Sequence, residues 1–179
     1  MPVYAGQRLT AAVLNGLPGD LVAFTTGNVT NSALETAIGT FSAAIGANDA
    51  VVGGGYQFLV FGTTDTIATP TIRFRLYCGP VVSGNLIGDF GTQTTSAGAT
   101  NKPWWLKVWM IVTATGSAGT FEAGGIADSS NVSGGPFASS RTAVAINTTI
   151  ANDVILTAQW GTASASNTAR TLAGAAQRT

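Results

Sequence analysis

Apolar and polar residues alternate with a period of two along two segments of the chain. The segments are residues 71–77 (TIRFRLY) and 103–115 (PWWLKVWMIVTAT). Successive side chains of a β-strand point to opposite faces of its sheet, so this alternation predicts strands with one face in a core. The pattern therefore indicates a β-sheet protein.

Further short strands are predicted between clusters of Gly, Pro, Asn, Asp and Ser, such as residues 53–55 and 133–136. No helical periodicity of roughly 10 to 15 residues separates them, which argues against a parallel sheet with crossover helices. Many short strands with regular turn signals suggest an antiparallel sandwich or barrel. The predicted strands are residues 20–26, 37–45, 56–61, 71–78, 86–90, 104–115, 120–126, 143–147 and 153–160.

One face of each long strand is predicted to form the core. The inward residues are Ile72, Phe74 and Leu76, then Trp104, Leu106, Val108, Met110 and Val112, together with Tyr56, Phe58, Val60, Val154, Leu156, Ala158 and Trp160.

The other face of the strand at 104–115 carries Trp105, Lys107, Trp109 and Ile111. This face is too apolar to be left in water. Because Trp is enriched at subunit contacts, the row is interpreted first as a subunit interface. The alternative is a glycan platform, since flat aromatic rings stack on the apolar faces of sugars.

The composition favours an oligomer of one principal domain. Charged residues make up 9% of the 179 residues, with a formal net charge of zero, against about 25% charged residues in a typical soluble domain. Charge is costly to desolvate, so a surface that faces other subunits carries little of it. A monomer covered by Ser and Thr hydroxyls is the alternative.

Several function classes are disfavoured by the residue content. Eight scattered Lys and Arg residues provide no basic footprint for nucleic acid. The absence of histidine excludes His-dependent triads and zinc sites, and the acidic residues never cluster at metal-loop spacing, so no metal or cofactor is predicted. A paired-carboxylate hydrolase stays a minor alternative, because acids far apart in sequence can meet in a fold.

Three smaller predictions concern Cys78, the outward arginines and the location of the protein. Cys78 ends an apolar alternating run, so it is expected to be a buried, inert thiol. Arg73 and Arg75 are expected to pair across strands with Glu122 or Asp89. No signal-like segment and no run of roughly 20 apolar residues occurs, so synthesis in the cytoplasm without membrane insertion is expected.

A short helix is predicted near the N-terminus, over residues 9–17, with Thr10 as N-cap and Gly16 as its stop. A helix of fewer than about 12 residues needs tertiary or partner contacts to persist. The apolar residues expected to dock on a partner are Leu9, Val13, Leu14 and Leu17.

Four stretches resemble the jelly-roll domain found in structural proteins of tailed bacteriophages. They are residues 71–79 (TIRFRLYCG), 84–91 (GNLIGDFG), 101–108 (NKPWWLKV) and 147–167 (NTTIANDVILTAQWGTASASN). The opening residues 4–15 (YAGQRLTAAVLN), which begin with Tyr4, are similar to the N-terminal segment of many phage tail, fibre and capsid-accessory proteins. The chain departs from the family in residues 168–179, which are small and weakly patterned, so the last strand is expected to be short or to contact a neighbour. It also lacks a shaft or repeat.

The resemblance implies an all-β, antiparallel two-sheet jelly-roll sandwich, commonly a homotrimer, with no enzymatic activity. The expected division is an attachment segment at 1–19, the sandwich at 20–167 and a C-terminal strand or contact tail at 168–179. The implied function is capsid decoration on the virion exterior, with the major capsid protein or other virion proteins as partners. The alternative is a tail, neck or head-fibre protein that binds a host-surface glycan.

Overall fold

The computed structural model describes residues 22–179, with the backbone alone at 140–142. The described residues form eleven strands and one 3-10 turn, Ser83–Asn85, and contain no α-helix. The strands are β1 (Phe24–Thr26), β2 (Asn28–Thr30), β3 (Thr36–Ile45), β4 (Gly55–Asp65), β5 (Thr71–Cys78), β6 (Leu86–Thr94), β7 (Lys102–Ala114), β8 (Thr120–Ser129), β9 (Phe137–Ala145), β10 (Asn152–Trp160) and β11 (Thr168–Arg178).

These strands build two sheets, in which every recorded strand pairing is antiparallel. The five-stranded sheet has the order β1-β3-β10-β5-β6, and the six-stranded sheet has the order β2-β11-β4-β7-β8-β9. The chain changes sheet at every step from β1 to β5, between β6 and β7, and at every step from β9 to β11. The architecture is an antiparallel two-sheet jelly-roll sandwich, which confirms the predicted fold class.

The core lies between the inner faces of the two sheets. All the residues predicted to point inward are buried, including Phe58 from β4, Leu106 from β7 and Leu156 from β10, each with no exposed surface. Trp160 and Phe41 are among the largest fully buried side chains. Burial of one such side chain contributes roughly 1.5–3 kcal/mol, so this layer is the main source of stability.

The boundaries of edge strands differ from the prediction in both sheets. The strand predicted at 20–26 is confined to Phe24–Thr26 within the described residues, and β2 was not predicted. Gly27 separates the two, and its N–H donates to Thr171 Oγ1 (2.9 Å) as the chain passes from one sheet to the other. β9 begins at Phe137 rather than at 143, because an edge strand rich in Ser and Ala lacks the apolar alternation that marks a central strand.

The C-terminal segment corrects the expectation of a short last strand. β11 is 11 residues long and lies between β2 and β4. Its small residues are needed for packing: the Phe24 ring covers Gly174 and Gly39, where an added Cβ would come within 2.6 Å of that ring. The weak apolar and polar pattern of β11 therefore reflects the close packing of this strand against Phe24.

The loops gather at two ends of the sandwich. Loops 46–54, 79–85, 115–119 and 146–151 lie at one end, linked by backbone hydrogen bonds such as Asn48 N–H to Thr148 O (2.8 Å). Val22, the first described residue, lines a depression of about 250 Å³ at this end, beside Gly46 and Arg178. We call it the N-terminal end. Loops 31–35, 66–70, 95–101, 130–136 and 161–167 form the distal end.

Candidate interaction surface

The outward side chains of β7 begin the candidate surface. Trp105 and Lys107 are half-buried, whereas Trp109 and Ile111 are 41% and 51% exposed. The intervening residues of the strand point into the core. The predicted division of this strand into two faces is therefore correct.

The register of the six-stranded sheet extends this surface across β4 and β11. Phe61 and Leu59 of β4 lie opposite Trp105 and Lys107, and Phe61 is 46% exposed. On β11, the exposed Ala173 lies opposite Phe61. We call the outward residues of β4, β7, β8 and β11 the aromatic face. Six of its apolar residues lie on the adjacent strands β4, β7 and β11: Leu59, Phe61, Trp105, Trp109, Ile111 and Ala173.

β8 completes the aromatic face on the other side of β7. Trp109 lies opposite Gly124, and an added Cβ there would stand 2.8 Å from Trp109 Nε1. The indole therefore lies against the backbone of β8, in space that only glycine leaves open. Glu122 and Asp128, opposite Ile111 and Trp105, place two carboxylates at the ends of the row.

Sequence reasoning identified Trp105, Trp109 and Ile111 as outward but missed Phe61 and Leu59. Both follow from the same period-two argument, because Tyr56, Phe58 and Val60 were predicted to point inward. Their position beside the tryptophans depends on strand register, which the local pattern does not supply. The structure brings the tryptophans and these two residues together on one face.

The outer face of the five-stranded sheet is polar. Arg73 Nε donates to Asp89 Oδ1 (2.8 Å), which confirms one of the predicted partners. Arg75 pairs with Glu35 and approaches Asp89 Oδ2 (3.7 Å from its Nε). The alternative partner, Glu122, was wrong, because β8 belongs to the other sheet.

Glu35 is the centre of a second set of hydrogen bonds on this polar face. Its Oε1 accepts from Tyr77 Oη (2.8 Å) and from Thr157 Oγ1 (2.6 Å). Burial, followed by the hydrogen bond to Glu35, raises the pKa of Tyr77 above its usual value. Glu35 was not singled out in the sequence because it lies in a turn before β3, far from its partners.

Glu35 and Asp89, far apart in sequence, both approach Arg75, so these two carboxylates are the pair to examine for the hydrolase alternative. However, the hydrogen bond from Arg73 holds the pKa of Asp89 below its usual range. A general acid needs a raised pKa, so Asp89 is not suited to that role.

The Cys78 thiol and the remaining carboxylates form no further candidate site among the described residues. Cys78 is buried, and desolvation raises the pKa of its thiol to about 12, as expected for an inert residue. Within residues 22–179, no group of three or more Cys, Asp or Glu side chains is placed to hold a metal ion. This part of the chain also contains no helix long and apolar enough to cross a membrane.

The residues predicted to attach the protein to a partner lie outside the described part of the chain. They are Tyr4, Leu9, Val13, Leu14 and Leu17. The predicted helix at 9–17 lies there too. Val22, the first described residue, lies at the N-terminal end of the sandwich.

No protein-family model matches the sequence, and no curated protein matches it either. Among solved structures, the chain is similar to lectin I-B4 from Griffonia simplicifolia in its metal-free form, at 9% identity and a TM-score of 0.41, covering 89% of this chain and 94% of that one. Lectin I from Ulex europaeus, in complex with a methyl glycoside of α-L-fucose, has 11% identity and a TM-score of 0.40, covering 90% and 93%. The CBM2 module of the evolved Dit of Lactobacillus casei BL23 phage J-1 has 10% identity and a TM-score of 0.31, covering 91% and 79%. These similarities are too weak to indicate a shared function.

Proposed function

We propose that the chain is a non-enzymatic structural protein of a tailed-phage virion, which self-associates through the aromatic face and decorates the exterior of the capsid. The observation that carries this proposal is the aromatic face itself. Trp109, Ile111 and Phe61 are exposed on one side of one sheet. The resemblance to phage jelly-roll proteins supports the virion context and the homotrimer.

Physical chemistry favours a subunit contact on this face. A contiguous exposed apolar patch on a soluble protein is a common mark of an interaction site. Aromatic residues are enriched in the centres of such contacts, where charged residues are depleted. Glu122 and Asp128 lie at the ends of the β7 row, where the polar rim of an interface would be, so Lys107 is the charge within the row that a contact would have to pair.

Decoration would stabilise the capsid by thermodynamic linkage between binding of this protein and assembly of the shell. The attachment segment at 1–19 and one end of the oligomer would contact neighbouring capsid subunits, and contacts that exist only on the assembled shell stabilise that shell. An oligomer presents several copies of each contact, so weak individual contacts would add up to firm attachment.

The self-association is tested by replacing Trp109 and Ile111 with Ser and measuring sedimentation velocity over a range of concentrations. We expect the oligomer to dissociate while circular dichroism shows an unchanged fold. The matched control replaces Leu34 and Ile67, exposed residues at the distal end, with Ser. An unchanged oligomer in the Trp109 and Ile111 variant would overturn the interface.

The virion location is tested by electron microscopy of virions labelled with an antibody against this chain. Label spread over the head supports decoration. Label confined to the tail or neck contradicts decoration and favours the alternative location, and absence of label overturns the virion proposal.

A second candidate function is glycan binding by a tail, neck or head-fibre protein. The observation that favours it is the exposed Trp109 indole, which has Gln57 directly opposite on β4 and could combine ring stacking with a hydrogen bond. Replacing Trp105 and Trp109 with Ala separates the two functions. Lost binding on a glycan array with an intact oligomer supports recognition, whereas a dissociated oligomer supports the interface.

A further inference from the structure

Lys107 is a basic residue surrounded by apolar residues on the aromatic face. Trp105 and Trp109 flank it on the same face of β7. The residues opposite it are Leu59 on β4 and Ile126 on β8. The Lys107 side chain is half-buried, and none of the ion pairs recorded among the described residues involves it. A contact that covers this face would enclose the ammonium group, and an enclosed charge is costly unless an opposite charge pairs with it.

Glu122 is the carboxylate of the aromatic face that is available for such a pair. It is exposed, and none of the recorded ion pairs among the described residues involves it. Asp128, the other acidic residue beside the β7 row, is half-buried, and its Oδ1 accepts a hydrogen bond from Ser129 N–H (2.8 Å). Glu122 is therefore the better acceptor for a lysine from outside the chain.

Lys107 and Glu122 of one chain lie too far apart to pair with each other. Glu122 lies opposite Ile111, which is four residues along β7 from Lys107. Four residues of a strand span about 13 Å. The two opposite charges on this face are thus separated by a fixed distance, with Trp109 midway between their levels.

We infer that Lys107 of one copy pairs with Glu122 of a second copy across the aromatic face, and that this pair sets the register of the contact. The inference rests on the proposed self-association. Two copies that pack their β7 strands antiparallel, with Trp109 at the centre, place each Lys107 at the level of the other copy's Glu122. A head-to-tail ring such as a homotrimer would form the pair once at each contact instead.

The pair would supply specificity that the apolar residues do not. Burial of apolar surface is non-directional, so aromatic and aliphatic side chains alone would allow the two faces to slide past each other. Opposite charges at fixed positions favour one register and disfavour those that bring like charges together.

The experiment reverses the charge at each position and then at both, in the full chain. A dilution series in sedimentation velocity gives the dissociation constant of the oligomer. We expect Lys107→Glu and Glu122→Lys each to raise it by about tenfold or more, because each places like charges together. The double variant should return to within about threefold of the wild type, because it restores an opposite pair.

A mixture of the two single variants shows whether the pair joins different copies. Every contact between unlike chains then brings one Lys to one Glu, so the mixture should associate more tightly than either variant alone. One variant labelled at its N-terminus and followed by fluorescence-detected sedimentation measures this. A mixture no tighter than its components would overturn the inference.

Lys102→Glu is the matched control, because Lys102 is exposed at the start of the same strand, away from the aromatic row. It should leave the dissociation constant unchanged. If Lys107→Glu does not fold, the milder Lys107→Gln and Glu122→Gln form a double-mutant cycle. The combined variant should then associate about as well as the weaker single variant, and fully additive losses would overturn the pair.

The remaining outcomes distinguish this inference from the proposed function. Wild-type association of both charge reversals, while the Trp109→Ser, Ile111→Ser variant dissociates, would overturn the pair and leave the interface in place. Rescue of Lys107→Glu by Asp128→Lys rather than by Glu122→Lys would overturn it in favour of the other carboxylate. A wild-type protein that is monomeric at every concentration would overturn both.

Discussion

The indole of Trp109 lies against Gly124 on the neighbouring strand, at a position where any Cβ would stand 2.8 Å from Trp109 Nε1. A glycine within a strand weakens it, so its presence opposite a large ring indicates a close approach that a side chain would prevent. The orientation of the most exposed tryptophan on the aromatic face thus depends on a residue that has no side chain.

Gly124→Ala is expected to displace Trp109 and weaken self-association by about tenfold in the dimer or trimer dissociation constant. The methyl group occupies space that the indole now fills. A dilution series in sedimentation velocity measures the effect, and tryptophan emission reports the displaced ring. Gly84→Ala is the matched control, because nothing lies within 4 Å of a Cβ there. Wild-type association and emission in Gly124→Ala would contradict the expectation.

The free energy of unfolding is expected to fall in acid, because protonation of Asp89 weakens its pairing with Arg73. The hydrogen bond from Arg73 lowers the folded-state pKa of Asp89, so the pair contributes stability that is fully present above the unfolded value of about 3.9. This contribution is lost as the pH falls through the lower folded pKa. The free energy of unfolding in urea, measured between pH 7 and pH 3, should decline below about pH 4.

Asp89→Asn tests the origin of that decline. We expect it to lower the free energy of unfolding at pH 7 by roughly 1.5–3 kcal/mol, the usual value of a charged hydrogen bond, and to make the acid decline shallower. Asp128→Asn is the control, since none of the recorded ion pairs involves Asp128. An identical acid decline in Asp89→Asn would show that other groups cause it.

Cys78 is expected to resist thiol reagents in the folded protein. Its pKa of about 12 leaves almost no thiolate at pH 8, and the side chain is buried. The test follows the reaction with Ellman's reagent at pH 8 with and without 6 M guanidinium. Rapid labelling of one thiol without denaturant, in a protein that keeps its fold, would be the contrary result.

Gly62→Ala is expected to destabilise the core by roughly 3 kcal/mol. An added Cβ would come within 2.2 Å of both Trp104 Cζ2 and the carbonyl oxygen of Arg170, so neither a side-chain shift nor a small backbone shift alone relieves the clash. Thermal and urea unfolding measure the loss, with Gly84→Ala again as control. A change within about 0.5 kcal/mol, typical of a free surface position, would show that the close approach is absent.

Much of the fold could be predicted because the alternation along a strand is a local property. Trp104 and Trp105 are adjacent in sequence, and period two alone assigns the first to the core and the second to the outside, as the structure has them. The same argument works for Phe58 and Phe61. The argument fails for the edge strand β9 and for β11, which lies between β2 and β4, because both are rich in small and polar residues and their pairing is visible only in the sheet.

The period-two pattern alone established an antiparallel β-sheet protein, the side chains that fill its core and the unusually apolar outer face of β7, while the choice of a sandwich over a barrel came from the resemblance to phage jelly-roll domains. The pairing of strands within the folded sheets added that Phe61 lies beside Trp105 and that Glu35 rather than Glu122 meets Arg75. These relationships join residues far apart in the chain, and strand register and sheet order set them. A pattern of period two specifies which face a side chain occupies but not which strand lies next to it.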